Sequence, residues 1–402
     1  MKKSIYARLS IMMFLEFSVW GAWFVTIGSY MGSIGFSGAE IGTSYLMNNI
    51  AAILSPFFIG MVADRYFSSE KVMGVLHIVG GGVLYFATGL TEATPLILAL
   101  LIYNSCYMPT LALVNNISFQ QMDNPGKQFP GIRVWGTIAW VLVGWLINFV
   151  LGPIYPDVEL TTIPLKLGAA LSVVLGLYSF TLPSTPPKNT AKQTSIGDTL
   201  GLKTLKLLKD RSFMVFVISS LFISIPLAFY YSFTNLFLND LGMKNAASVQ
   251  GIGQMSEVLF MILMPWFFSR LGLKKMLLAG MLAWVVRYAL FAMGNTDEMI
   301  WMLFLGIALH GICYDFFFVT GQIYVDKKAP KEIRASAQGF ITLITYGLGM
   351  GIGSIISGNV LDLFTEGTQR DWMSFWWIPA IFALVVSVMF MVTFKQQKEL
   401  EK

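Results

Sequence analysis

Two stretches of the sequence, about 205 residues apart, decide the fold: Gly60-Met-Val-Ala-Asp64-Arg65, with Lys71 after it, and Pro265-Trp-Phe-Phe-Ser-Arg270-Leu-Gly-Leu-Lys-Lys275. Each places charged residues directly after a long apolar segment. Two further pairs recur at similar offsets, Cys106-Tyr107 with Cys313-Tyr314 and Ile132-Arg133 with Ile333-Arg334. Three matches at offsets of 201 to 207 residues predict that the chain is built from two related halves.

The composition excludes an ordinary water-soluble protein. Of the 402 residues, 55% are hydrophobic and 12% are charged, whereas a soluble globular protein carries about a quarter charged residues. The mean hydropathy is +0.66, and both cysteines, Cys106 and Cys313, lie inside apolar stretches. We therefore expect an all-α polytopic membrane protein with no disulfide framework and no metal site.

Apolar windows of about 20 residues, the length that crosses a hydrocarbon core of about 30 Å, recur along the chain. The first window follows a basic N-terminus but lacks a cleavage site of small residues, so we expect it to stay in the mature protein. The predicted spans are twelve: 9–31, 41–62, 72–90, 95–118, 134–151, 163–182, 213–237, 249–268, 276–294, 299–324, 336–360 and 372–394.

The basic residues predict the orientation of these spans. All but four of the 27 Lys and Arg lie at the termini or in loops on one predicted side; the exceptions are Lys166, Lys244, Arg287 and Arg370. The positive-inside rule therefore predicts that both termini are cytoplasmic. Because the net charge of +5 is spread over short loops, it does not indicate a nucleic-acid partner.

One long connection divides the chain into six plus six spans. We predict an N-terminal six-helix bundle at 1–182, a cytoplasmic linker at 183–212 and a C-terminal six-helix bundle at 213–402. In the linker, Leu200, Leu205 and Leu208 alternate with Lys203, Lys206 and Lys209, which predicts a basic amphipathic helix on an anionic leaflet. The other loops are too short for a soluble catalytic domain, and no loop has the GxxxxGK pattern of an ATP site.

The loop Gly60-x-x-x-Asp64-Arg65 resembles the cytoplasmic signature between helices two and three of the major facilitator superfamily. Its tail, Tyr-Phe-Ser-Ser-Glu, departs from the usual Gly-Arg-Lys ending. The resemblance implies a gating role for Asp64, Arg65 and the repeated Arg270, which hold the cytoplasmic side shut. The alternative is that these are ordinary flanking charges that obey membrane topology.

Ionisable residues at membrane depth are few, and each costs about 2.5–3.5 kcal/mol even on the lenient insertion scale. For Glu16 and Arg287 the simpler interpretation is a structural ion pair or a snorkelling head group, and for His77, alone on a glycine-rich helix, a structural role. The other members are Glu257, His310 and Asp315. They are candidates for function.

Three sets of polar and aromatic residues share helix faces. Arg133, Thr137 and Trp140 fall at i, i+4 and i+7; Gln254 and Glu257 at i and i+3; His310 and Tyr314 at i and i+4. Such stripes are poor lipid-facing surfaces, so they predict a polar cavity. Stacking and bidentate hydrogen bonds there suit a neutral, hydroxyl-rich ligand with a flat ring. The alternative is polar contact between helices without a ligand.

Longer strings are similar to the bacterial nucleoside:proton symporter family of the major facilitator superfamily, over essentially the whole chain. They are Phe14-Leu-Glu-Phe-Ser-Val-Trp-Gly-Ala-Trp23, Tyr107-Met-Pro-Thr110, Phe129-Pro-Gly-Ile-Arg-Val-Trp-Gly-Thr137, Gln254-Met-Ser-Glu257, Asp315-Phe-Phe and Ile333-Arg-Ala-Ser-Ala-Gln-Gly339. The resemblance implies twelve transmembrane helices in two six-helix bundles and proton-driven uptake of nucleosides across the inner membrane.

The family's nucleoside site, carried over by residue, implies binding roles for Arg133, Thr137, Gln254 and Glu257, and Asp315 belongs to the same site. Other positions differ. The well-known permeases have Phe where this chain has Trp140, Tyr where it has His310, and Phe where it has Tyr314. The amide pair of helix seven aligns with Ala228 and Tyr231. Base or ribose selectivity is therefore expected to differ.

We expect an alternating-access symporter that binds substrate near the midplane between its halves. For proton coupling we favour Asp315 over Glu257, with His310 as a further candidate because imidazole titrates near neutrality. Tyr231 and Tyr314 are expected to add rings to the substrate site. The expected partners are a nucleoside, protons and the bilayer, with a monomeric protein and no cofactor.

The rival functions are transport of another sugar-like or polyol substrate, a non-transporting receptor or scaffold, and a membrane enzyme. An enzyme would need a nucleophile–base pair or a metal cluster that the sequence lacks.

Overall fold

The structure is a computed structural model that describes residues 2–65, 67–187 and 202–395, without the side chains of residues 56–65, 126, 202, 203 and 335. The chain forms two compact units, Met1–Gln193 and Thr194–Lys402. The predicted gating residues Asp64 and Arg65 lie outside the described side chains.

The first unit is helical throughout its described part. A π-helical turn, Leu146–Leu151, continues α7, and a short 3-10 helix covers Val158–Leu160. The helices are α1 (Lys3–Gly21), α2 (Ile27–Ser33), α3 (Gly38–Arg65), α4 (Ser69–Ala87), α5 (Ala93–Tyr107), α6 (Thr110–Gln120), α7 (Pro125–Trp145) and α8 (Ile163–Ser179).

The second unit begins with a 3-10 helix, Leu202–Lys209, and contains two π-helical turns, Asp315–Val319 and Leu343–Gly349. Its helices are α9 (Arg211–Asp240), α10 (Ala246–Met293), α11 (Ile300–Ala308), α12 (His310–Tyr314), α13 (Thr320–Lys328), α14 (Arg334–Thr342), α15 (Met350–Leu363) and α16 (Trp372–Thr393). A further 3-10 turn, Lys331–Ile333, precedes α14. A small antiparallel hairpin pairs β1 (Thr365–Glu366) with β2 (Gln369–Arg370) around Gly367, whose φ is 61°.

Eight helical stretches of the described chain are long and apolar enough to cross a membrane. Large apolar side chains such as Ile262, Leu363 and Val392 are 71%, 80% and 71% exposed, as expected of a surface that faces lipid rather than water. The protein is therefore an integral membrane protein with many apolar helices.

Several helices are broken, and the breaks matter for the site. The 48-residue segment α10 consists of two helices that meet at Gly272, where φ is 67°; this point lies between the predicted windows 249–268 and 276–294. The window 95–118 holds α5 and α6, separated by Met108 and Pro109, and the window 299–324 is broken at Leu309. The apolar character of the sequence predicts neither of these last two breaks.

The linker prediction meets the structure only in part. Leu200 and the preceding linker residues from 188 onward lie outside the described residues. Leu205, Lys206, Leu208 and Lys209 belong to the 3-10 helix rather than to the predicted amphipathic α-helix. A 3-10 helix has three residues per turn, so its side chains at i and i+3 are eclipsed.

Candidate functional site

The first unit carries the predicted stripe of α7. Arg133, Thr137 and Trp140 are all half-buried. The guanidinium carbon of Arg133 lies 4.2 Å from the centre of the Phe17 ring of α1. A cation above an aromatic face is held by the ring quadrupole, so α1 fixes the direction of this side chain.

Aromatic rings surround Trp140. Its ring centre is 5.6 Å from that of Trp20 and 6.5 Å from that of Phe24, both in edge-to-face geometry. A Cβ at Gly21 would lie 3.3 Å from the Trp140 ring, so the glycine permits this close packing. Trp20 was not predicted as a site residue, although its indole nitrogen is buried and has no hydrogen-bond partner within the described chain.

A column of rings runs through the second unit. His310 stacks on Tyr230 of α9 with ring centres 5.2 Å apart, and on Tyr314 with centres 5.9 Å apart. Tyr231 approaches His310 edge-on at 6.3 Å. The Tyr314 hydroxyl contacts the hydroxyl of Tyr346, which lies in the π-helical turn Leu343–Gly349. The structure thus brings together three predicted residues and adds Tyr230 and Tyr346.

Close helix approach brings the predicted carboxylate of α10 to this column. Glu257 Oε2 is 3.7 Å from His310 Nε2, and the Glu257 side chain is 20% exposed. A Cβ at Gly253 would lie 3.1 Å from the His310 Cβ, and one at Gly311 would lie 2.5 Å from the Ser256 carbonyl oxygen. The two glycines therefore set the distance between Glu257 and His310. Gln254, one turn before Glu257, is half-buried.

Ser256 connects the two helices on either side of Leu309. Its hydroxyl donates to the Ala308 carbonyl at 2.6 Å and accepts from the Gly311 N–H at 2.9 Å. The orphan backbone groups of the break are thus satisfied by a side chain from α10. No sequence signal marks this role.

Asp315 begins a π-helical turn and is 0% exposed. Neither carboxyl oxygen has a hydrogen-bond partner within the described chain. An ionised carboxylate without a partner is very costly to bury. Asp315 therefore suits the holding of a proton better than a static ion pair.

Arg287 is fully buried, so it does not snorkel to the interface. Among the described residues its partners are carbonyls and not the expected carboxylate: its Nε donates to the Gly306 carbonyl at 2.8 Å and its Nη2 to the Ile307 carbonyl at 3.3 Å. Its guanidinium carbon lies 3.7 Å from the centre of the Tyr230 ring. Carbonyls at the end of α11 attract a cation through the helix dipole, so Arg287 holds the end of this helix beside the ring column.

Two further predictions, for His77 and Arg270, can be compared with the structure. His77 is not alone, because its Nε2 lies 3.0 Å from Glu16 Oε2 in a buried pair. Arg270 is exposed and lies over the ring of Trp266 at 4.4 Å. Within the described residues, no three His, Cys, Asp or Glu side chains form a group that would hold a metal ion.

Polar side chains buried within long apolar helices define a class, the multi-spanning helical membrane transporters. The chain belongs to the nucleoside H+ symporter family, whose sequence model matches residues 2–399. This is a family of transporters, not of enzymes.

Known proteins support the assignment. The chain is similar to YegT of Escherichia coli (strain K12), with 43% identity over 97% of this chain and 94% of that protein. It is similar to the nucleoside permease NupG of the same organism, with 35% identity over 96% and 95% of the two chains. A crystal structure of NupG matches at a TM-score of 0.89, with 98% of this chain and 100% of that chain covered. The fold is therefore that of an all-helical transporter of the major facilitator type.

Proposed function

We propose that this protein takes up nucleosides together with protons across the inner membrane by alternating access. The observation that carries the proposal is the ring column of the second unit, Tyr230, His310 and Tyr314, with Glu257 beside it. A flat base needs an aromatic surface, and ribose hydroxyls need acceptors such as a carboxylate. The family assignment adds the proton.

The proposed binding residues are those of the three predicted stripes together with Tyr231. Arg133, Thr137 and Trp140 serve from the first unit. Tyr231, Gln254, Glu257, His310 and Tyr314 serve from the second. Beyond area burial, stacking contributes about 0.5–1.5 kcal/mol for each aromatic pair, whereas a hydrogen bond to a charged group contributes about 1.5–3 kcal/mol. Discrimination between ligands is therefore assigned to the charged Glu257 and Arg133, with the neutral amide of Gln254 as a further hydrogen-bonding group.

The preference among nucleosides is proposed to differ from that of the familiar permeases. Ala228 is fully buried, and a Cβ at Gly353 would lie 2.8 Å from its Cβ. Ala228 is therefore part of the packed core of the second unit. Tyr231 places a ring at the edge of His310. One amide is thus replaced by packing and the other by an aromatic edge.

Proton coupling is assigned to Asp315. Its burial and lack of partners within the described chain favour a proton carrier. Glu257 is the second candidate, but its partial exposure and its contact with His310 suit a group that accepts hydrogen bonds from substrate. His310 is a candidate both for substrate binding and for proton coupling.

The finer organisation belongs to the same proposal. It comprises twelve spans in two six-helix bundles joined by the linker 183–212, cytoplasmic termini and a monomer in the bilayer. The gating role of Asp64, Arg65 and Arg270 also stays a proposal. The cation of Arg270 is available at the surface of the second unit.

The test is uptake of labelled uridine and adenosine into cells that lack their own nucleoside permeases. We expect accumulation that rises with an inward proton gradient and collapses with an uncoupler. Calorimetry on the purified protein should detect binding of nucleosides but not of free sugars. Binding of a sugar or polyol in place of any nucleoside would overturn the substrate assignment.

A further inference from the structure

A buried polar network occupies the middle of the first unit. Its members come from five helices, α1, α4, α5, α6 and α8, and every side chain is at most 2% exposed. They are Glu16, His77, Tyr107, Thr110 and Ser172.

Glycines bring two of these helices together. A Cβ at Gly74 of α4 would lie 3.0 Å from the Gly176 carbonyl of α8, and a Cβ at Gly176 would lie 2.9 Å from the Gly74 carbonyl. This close approach places His77 beside Ser172. The glycines of α4 therefore allow the helices to pack closely around the imidazole of His77.

The hydrogen bonds place a proton between His77 and Glu16. The Ser172 hydroxyl lies 2.9 Å from the His77 carbonyl oxygen and 3.1 Å from His77 Nδ1, and its single proton serves one of them at a time. The other ring nitrogen, Nε2, lies 3.0 Å from Glu16 Oε2, and with either direction of the Ser172 bond a proton must lie between these two atoms.

The remaining carboxyl oxygen can bind one proton more without loss of a hydrogen bond. Thr110 Oγ1 lies 2.7 Å from Glu16 Oε1 and 2.5 Å from the Tyr107 carbonyl, and its single proton serves one of them at a time. When Thr110 donates to Glu16, the carboxyl needs no proton at Oε1. When Thr110 donates to Tyr107, its oxygen accepts from a protonated Oε1. Both arrangements satisfy Glu16, which matters because unpaired polar atoms are costly inside a membrane protein.

We propose that the Glu16–His77 pair is a second proton-binding site of the symporter, which takes up and releases one proton per cycle in addition to that of Asp315. The inference rests on the proton-coupled transport proposed above. Both acceptors lie within reach of the Thr110 hydroxyl in the same structure, so rotation of the hydroxyl alone exchanges them as the proton arrives or leaves.

Other ionisable groups face the pair. Tyr103 and Tyr107 of α5 interact electrostatically with Glu16, and Cys106 with Tyr103. From α7, Arg133 interacts with Tyr107 and lies over Phe17, the residue after Glu16. This cation opposes the additional proton. A nucleoside that binds Arg133 therefore changes the field at the pair, which links substrate occupancy to protonation.

Glu16→Gln tests the proposal, because the amide group donates to His77 Nε2 and its oxygen accepts from Thr110, yet it cannot ionise. The experiment measures accumulation of labelled uridine by the full chain in proteoliposomes at zero membrane potential. With a gradient of about one pH unit, two coupled protons support about hundredfold accumulation and one supports about tenfold. We expect Glu16→Gln to lower the ratio about tenfold and the double variant with Asp315→Asn to abolish accumulation. Uridine exchange at equal pH should persist in Glu16→Gln.

The matched control is Glu159→Gln in the same unit, since Glu159 is also buried and accepts from Asn148 at 2.6 Å. It should leave the ratio unchanged. A wild-type ratio in Glu16→Gln, or loss of exchange in a folded Glu16→Gln, overturns the second site. If Glu16→Gln fails to fold, His77→Gln replaces it, and an unchanged ratio there overturns the proposal equally. Absence of accumulation of both uridine and adenosine by the wild type would instead refute the transport function and this site with it.

Discussion

At the scale of single residues, the carboxylate beside His310 should matter more for binding than the indole of α7. Glu257→Gln turns hydrogen bonds to a charged group, worth about 1.5–3 kcal/mol each, into neutral ones of about 0.5–1.5 kcal/mol, which should cost about tenfold in affinity for each bond to ribose. Trp140→Ala removes stacking worth about 0.5–1.5 kcal/mol beyond area burial and should weaken all nucleosides alike. Calorimetry with uridine and adenosine measures both. Trp301→Ala, at a ring 52% exposed, is the control, and a larger loss for Trp140→Ala than for Glu257→Gln would contradict the assignment.

The buried carboxyl of Asp315 has a different expected signature. Asp315→Asn keeps the shape of the side chain but cannot release a proton, so gradient-driven accumulation of uridine should fall about tenfold for the proton lost at about one pH unit of gradient. Binding at equilibrium should be partly retained. Transport assays in vesicles measure the first and calorimetry the second. Asp326→Asn serves as control because Asp326 is 54% exposed. Wild-type accumulation in Asp315→Asn would exclude Asp315 as a carrier.

Sequence reasoning reached the residues that neighbour one another along a helix and missed those that meet across helices. The stripe Arg133, Thr137 and Trp140 follows from helical spacing alone. Glu16 and His77 are 61 residues apart and meet only because the chain folds. Arg287 donates to backbone carbonyls and not to an acidic side chain. Residue spacing along the sequence cannot predict such a partner, because every residue carries a carbonyl.

At the scale of helices and their connections, the break between α11 and α12 should depend on one hydroxyl. Ser256→Ala leaves the Ala308 carbonyl and the Gly311 N–H without this partner, at a cost of about 1–3 kcal/mol for each buried group left unpaired. Because His310 directly follows the break at Leu309, nucleoside affinity should fall as well as thermal stability in detergent. Ser269→Ala is the control, since Ser269 is exposed and bonds only within its own helix. A variant as stable as the wild type would show that Ser256 does not hold the break.

The cap of α16 gives a prediction with a defined pH dependence. Asp371 accepts from the Ser374 hydroxyl at 2.6 Å and from the Ser374 N–H at 3.1 Å, and these bonds hold the pKa of the Asp371 carboxyl below its usual range. Its contribution is therefore fully present above the unfolded pKa, about 3.9, and is lost as the pH falls through the folded value. Asp371→Ala should cost about 0.5–2 kcal/mol at neutral pH, towards the lower end because the side chain is exposed.

Thermal unfolding at several pH values measures this difference between wild type and Asp371→Ala. The difference should shrink as the solution is acidified. Glu366→Ala removes an exposed carboxylate from the neighbouring hairpin and should show no such trend. A gap that is constant down to strongly acidic pH would mean that Asp371 acts through packing and not through its charge.

Helix positions could be predicted because lipid demands long apolar runs, whereas the breaks inside them could not. At Leu309 the backbone groups are satisfied by Ser256, a residue more than 50 positions away. The π-helical turn at Asp315 likewise keeps an apolar composition. Hydropathy reflects the average environment of a segment and is insensitive to one displaced hydrogen bond. The break at Leu309 and the π-helical turn at Asp315 could therefore not be predicted from it.

At the scale of the whole molecule, the distribution of charge predicts the orientation in the membrane. Only Lys166, Lys244, Arg287 and Arg370 lie away from the predicted cytoplasmic side. Of these, Arg287 is buried and Arg370 is neutralised by Asp240 at 2.8 Å. Lys166 and Lys244 are exposed and keep their charge, so two of the four exceptions leave positive charge at the surface, against 23 basic residues on the predicted cytoplasmic side, which agrees with the expectation from the positive-inside rule.

A reporter enzyme that is active only in the periplasm tests this orientation directly. Fused after Lys192, in the linker between the two units, it should give no activity because the linker is expected on the cytoplasmic side. Fused after Lys244, in the connection between α9 and α10, the same reporter should be active, and this second fusion controls for expression and insertion. The reverse pattern would invert the topology. Activity at both positions would mean that α9 does not cross the membrane, which is difficult to reconcile with its length of 30 residues and its predominantly apolar, largely buried composition.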